Sequence, residues 1–181
     1  MSASALAALE LNGAPDVLVG YARFVAGLKI RPDAKHLRRN AARRLLDTYP
    51  DLHAWMDRPT PARLTDLART GAWSFITWCF LENILIPDLD LLLAKKPGDL
   101  YVEWGQRHPD DVARVADVAR RFAWSANWTR DVSRSALALV CLWARTELDE
   151  LTDDVFDAFS TALTDRPSAG RDARLHNQAS G

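Results

Sequence analysis

Proline and glycine in this chain fall between stretches of helical periodicity, and no segment alternates apolar and polar residues as a half-buried strand does. Proline lacks the amide that a helix interior or a central strand needs, so its positions mark where elements end. Without sheets, apolar residues are hidden by laying helices on one another. The expectation is an all-α fold, a compact multi-helix bundle. The chain has 181 residues, 48% hydrophobic and 26% charged. A domain of that size buries roughly 70% of its unfolded surface and needs neither disulfide nor metal to fold.

Start and stop residues divide the chain. A first helix is expected from Asp16 to Leu28, and a second from Ala34 to Thr48, capped by Asp33 and stopped by Pro50. Thr60-Pro61 reads as a cap followed by proline in the first turn of a short helix reaching Arg69. Residues Ala72 to Asn83 carry Trp73, Phe75, Trp78 and Phe80 and read as a buried helix. Shorter helical pieces fall around Asp88 to Lys95 and Asp99 to Gln106.

Periodicity is strongest in the last third. At about 100° per residue, Val112, Val115, Ala116, Val118, Ala119 and Phe122 share an arc of about 160°, opposite Arg114, Asp117, Arg120 and Arg121. Ala136 to Ala144 is apolar all round and is expected at the centre of the fold. Thr152 is expected to cap a closing helix with Asp153 and Asp154 in its first turn and one stripe of Val155, Phe156, Phe159, Ala162 and Leu163. The reading is therefore a flexible start over 1–15, one helical domain over 16–164 and a polar, disordered tail over 165–181.

Cys79 and Cys141 lie in apolar runs without ligand spacing and read as reduced core thiols. The N-terminus has no cationic leader, and the longest apolar run is far short of the ~20 residues that span a bilayer. A cytoplasmic chain without a membrane span is expected.

The net charge of -1 hides an uneven distribution. Residues 20 to 70 hold 11 basic and 5 acidic side chains, and residues 111 to 146 hold 6 and 3, while the segments around them are acidic. On the second helix Lys35, Arg38, Arg39 and Arg43 project within an arc of about 140°, with Leu37, Ala41 and Leu45 on another face. One side is thus placed to pack while the other meets phosphates. Arg31 precedes this helix, and Arg130 and Arg134, one turn apart, form a lesser basic pair.

No catalytic pattern accompanies these charges. GxSxG, GxxxxGKS, HExxH and GxGxxG are absent, and His36, His53, His108 and His176 are dispersed. The acidic group Asp149, Glu150, Asp153, Asp154 and Asp157 lacks the turn spacing of a calcium loop, and no metal or other cofactor is expected. Trp73, Trp78, Trp124, Trp128 and Trp143 stand among apolar neighbours and read as core, not base-stacking platforms.

The order of features resembles a known family. Tyr21-Ala-Arg-Phe-Val-Ala-Gly-Leu28, a linker and a basic helix ending Ala41-Ala-Arg-Arg-Leu-Leu46 resemble the opening of the N-terminal core-binding (SAM-like) domain of phage-integrase-type tyrosine recombinases. Pro50-Asp-Leu-His-Ala-Trp-Met-Asp-Arg-Pro59, Asp88-Leu-Asp-Leu-Leu92, His108-Pro-Asp-Asp111 and Leu151-Thr-Asp-Asp-Val-Phe-Asp-Ala-Phe159 are similar to the version in integrase-like proteins of high-GC actinobacteria. The 19 Arg against 4 Lys suit such a genome.

What the resemblance implies is an arm that clamps double-stranded DNA, acting beside other recombinase protomers, while a separate domain cuts and rejoins strands. The family's catalytic pattern is missing here. Tyr21, Tyr49 and Tyr101 all precede the closing helix, and His36-Leu-Arg-Arg39 sits in the wrong part of the chain to be its His-x-x-Arg pair. The expectation is a DNA-binding helical arm without strand-cleaving residues, contacting DNA through Arg31, Lys35, Arg38, Arg39, Arg43, Arg130 and Arg134. The alternative is an all-helical protein-interaction module with no nucleic-acid role.

Overall fold

The computed structural model describes residues 16–121 and 127–166, in which every regular element is helical. The helices are α1 (Asp16–Gly27), α2 (Pro32–Thr48), α3 (Leu52–Met56), α4 (Thr60–Thr70), α5 (Trp73–Leu81), α6 (Leu89–Ala94), α7 (Pro97–Arg107), α8 (Pro109–Arg121), α9 (Asn127–Ala144) and α10 (Asp153–Thr164). A 3-10 turn, Leu148–Glu150, links the last two. The expected flexible start and the tail beyond residue 166 lie outside the described residues, as do Phe122, Trp124 and the side chain of Trp128.

The fold is centred on α5. Seven consecutive residues, Ser74 to Phe80, are buried, so this helix is surrounded where its neighbours bury one stripe. α1 supplies Leu18, Tyr21, Ala22, Phe24 and Val25 at helical spacing. Tyr21 meets Phe75 edge-on at 5.0 Å between centroids and Trp78 at 5.5 Å. The approach depends on Gly20, where a Cβ would come 3.0 Å from the Trp78 ring. Trp55 and Trp104, which the sequence reading left out of its core set, are the bulkiest fully buried side chains among the described residues.

The apolar run Ala136 to Ala144 is not the centre. In α9, Ala138, Val140, Cys141 and Leu142 are buried, but Ala136 is exposed. This helix packs along α7 on one side and meets α10 on another, which leaves a flank open. The stripe on α10 is likewise only partly covered, with Phe156 41% and Leu163 39% exposed.

Three helix caps differ from expectation. α2 begins two residues early because Pro32, with its preset φ, takes the first turn. Arg31 is then the N-cap, and Asp33 sits inside, 3.3 Å from the Arg31 guanidinium. Thr60 is helical, and its hydroxyl accepts from Arg63 Nη2 at 2.9 Å instead of capping. Thr152 holds the N-cap position of α10 without a capping hydrogen bond. Two other aspartates do cap: Asp51 accepts from His53 N and Ala54 N, and Asp88 from Leu91 N.

Two polar ties fix the first half. The buried Asp66 carboxylate accepts from Tyr49 Oη (3.1 Å), Trp55 Nε1 (3.1 Å), Arg69 Nη2 (3.2 Å) and Arg58 Nη1. Arg63 reaches Asp88 at 2.9 Å and pins α4 to the start of α6. Between these ties, α4 ends on Gly71 at φ +76°, a left-handed cap that suits glycine.

Candidate nucleic-acid interface

α1 and α2 pack on each other, and with their linker they carry eight of the 23 Lys and Arg side chains of the chain. Residues 20 to 48 contain eight basic side chains and two acidic ones, Asp33 and Asp47. The helices stay together because Leu45, Ala42 and Ala41 of α2 and Val25, Tyr21 and Leu28 of the α1 side enter one core cluster. The cations are thereby held on a rigid base.

Their orientations separate the predicted set. Arg31 and Arg43 are exposed, while Lys35 and Arg39 are half-buried. Lys35 Nζ donates to the Ala26 carbonyl at 2.6 Å, which ties the start of α2 to the end of α1. Arg23 and Lys29, exposed on the same hairpin, belong with this group. The charge count over residues 20 to 70 already included them, but no helix spacing singled them out.

Arg38 is corrected. Its guanidinium Nη1 donates to Glu103 Oε1 at 2.8 Å and to Ser74 Oγ at 3.2 Å, and its side chain is 20% exposed. The reason lies in the register of α2. Ala41, Ala42, Leu45 and Leu46 form the buried arc, and Arg38 falls inside it. Leu37, assigned by sequence to the packing face, is 61% exposed. The packing face is thus rotated by about 70° from the one expected. Arg44, on the far side, donates to the Thr70 carbonyl at 2.7 Å.

The lesser basic pair lies on α9, whose main packing partner is α7 and not the hairpin. Arg130 lies on α9, and its side chain is outside the described residues. Arg134 is partly buried, and its Nε has no hydrogen-bond partner among the described residues. Tyr101 lies nearby; burial raises its phenol pKa, and the Arg134 charge opposes that rise.

Beneath α2 lies a buried charge cluster that sequence reasoning missed. Glu103, wholly buried, accepts from Arg38 and from Lys95 Nζ, which also donates to Thr77 Oγ1 at 2.9 Å. Burial lowers the Lys95 pKa, and the Glu103 charge pulls it back up. The members come from α2, α5, α7 and the residue after α6, so no local spacing announces them. A cavity of ≈ 370 Å³ opens beside them, lined among others by Trp73, Lys96 and Asp99.

Among the described residues, no group of three or more His, Cys, Asp or Glu is arranged to hold a metal ion, and no helix is long and apolar enough to cross a membrane. Two of the acidic group near the end of the chain have partners: Asp149 meets Arg114 of α8 at 3.3 Å and Glu150 accepts from Thr146 Oγ1 at 2.9 Å. Comparison with family models, with curated proteins and with solved structures finds no match to this chain.

Proposed function

We propose that this chain is a non-catalytic, DNA-binding helical domain that docks the α1–α2 hairpin on duplex DNA. The observation that carries the reading is the density of positive charge there. Arg23, Lys29, Arg31, Lys35, Arg39 and Arg43 share one rigid helix pair with two acidic residues between positions 20 and 48. Phosphate contacts of this kind supply sequence-independent affinity and orient the protein. The 17 residues of α2 extend about 25 Å, and a helix fits the roughly 12 Å wide major groove. Kinship with the arm of a tyrosine recombinase, action beside other protomers in DNA integration or recombination, and a cytoplasmic location all belong to the same proposal.

The test is duplex binding by fluorescence anisotropy at low salt, comparing the parent with a Lys35→Ala/Arg39→Ala/Arg43→Ala variant. A loss of at least about tenfold is expected, since each phosphate contact contributes to the counterion-release term. Equal affinities would overturn the assignment.

A second reading, a protein-interaction module, draws on α10, where Phe156 and Leu163 stay exposed. It gains ground if the parent binds no duplex at low salt while Phe156→Ser abolishes a self-association seen by light scattering.

A further inference from the structure

The cavity beside the Arg38–Glu103–Lys95 cluster is independent of the DNA reading and has its own chemistry. Its ≈ 370 Å³ falls within the range that takes small organic ligands. Three cations line it, Arg38, Lys95 and Lys96, against two carboxylates, Glu103 and Asp99. The wholly buried Glu103 is engaged by both Arg38 and Lys95. Arg38 Nη2 reaches Asp99 Oδ1 only at 4.0 Å, and the Asp99 side chain is 53% exposed. The lining thus carries one surplus positive charge, with a guanidinium edge turned toward a loosely held, solvated partner. A group of fixed negative charge that displaced Asp99 from this edge would gain a charge-assisted hydrogen bond.

The walls add shape to the charge. Trp73 offers an indole against which an apolar body can lie, and Gly71 and Ala94 leave room beside it. Ser74, whose hydroxyl accepts from Arg38, lies in the first turn of α5, a helix with no side-chain cap. Its positive end therefore adds to the preference for an anion. A surplus of one charge fits a monoanion better than a dianion, because the buried Glu103 carboxylate opposes a second negative charge.

We propose that this cavity binds a small carboxylate carried on an apolar or aromatic body, its carboxylate at Arg38 and Lys96 and its body against Trp73.

The experiment titrates the full chain with benzoate, and in parallel with benzamide and inorganic phosphate, following the Ser74 amide and the Trp73 indole by NMR. Benzoate is expected to shift both signals with a Kd of about 1 mM, typical of a fragment of this size. The two rim variants, which leave the buried cluster intact, move in opposite directions. Asp99→Asn tightens benzoate binding about three- to tenfold by removing the competing carboxylate, and Lys96→Gln weakens it by a similar factor. Four results would overturn the proposal. These are no shift at either reporter, benzamide binding as well as benzoate, phosphate binding more tightly than benzoate, or rim variants that leave the affinity unchanged.

Discussion

Replacing Glu103 by glutamine removes one negative charge from a place where two positive ones depend on it. The parent carboxylate is wholly buried, accepting from Arg38 Nη1 at 2.8 Å and from Lys95. After Glu103→Gln, Lys95 stays buried with Thr77 Oγ1 as its acceptor, and Arg38 keeps Ser74 and the distant Asp99. Breaking a buried ion pair on one side costs about 3–5 kcal/mol, because the surviving charge is left desolvated. Arg38, at 20% exposed, can turn partly to water, which places the expected loss near the lower end, about 3 kcal/mol. For a domain of this size, about 2–4 °C per kcal/mol gives a fall in Tm of about 6–12 °C by circular dichroism.

A pH series supplies the sign. Burial lowers the Lys95 pKa below its ordinary 10.5, and Glu103 opposes that shift, so the variant lowers it further. Between the folded and unfolded values the unfolded chain binds more protons, and stability rises with pH. The deficit of the variant against the parent is therefore greatest at neutral pH and narrows toward pH 10. A Tm change below about 2 °C, or a deficit that widens with pH, would refute the ion-pair account.

Other perturbations test separate parts of the structure. Asp66→Ala strips four donors, from Tyr49, Trp55, Arg58 and Arg69, of their common acceptor, and should cost about 3 kcal/mol in chemical denaturation. Gly71→Ala places a side chain at φ +76° and should cost about 1 kcal/mol in the same assay. Burial pushes the Cys141 thiol up to about 12 and raises Cys79 as well. Native protein should then resist a thiol reagent at neutral pH and react at both cysteines only once unfolded. For Cys141 the folded value lies above the unfolded one near 9, so its contribution to stability is full below pH 9 and lost toward pH 12.

Much of the fold was legible because helix ends are local events. Pro50 follows the end of α2 and Pro61 lies in the first turn of α4 as read, so helix type followed from residues a few places apart, whereas Pro32 moved the start of α2 and the short α3 behind its Asp51 cap was not foreseen. What the sequence concealed depends on distance. Arg38 and Glu103 are 65 residues apart, and nothing near Arg38 distinguishes an arginine aimed at a buried carboxylate from one aimed at solvent. Leu37 beside it is a strong apolar signal on the wrong face, and it drew the expected packing stripe away from its true position. The apolar run in α9 misled for a related reason, since composition states that a residue tolerates burial but not that a neighbour arrives to bury it.

The claim that α1 and α2 form a phosphate-binding surface is tested most directly by the salt dependence of duplex affinity of the unmodified protein. With four or more of the six hairpin cations engaged, log Kobs should fall linearly with log salt, with a slope of about −4 to −5. A slope near zero, or no measurable duplex binding at low ionic strength, would contradict it.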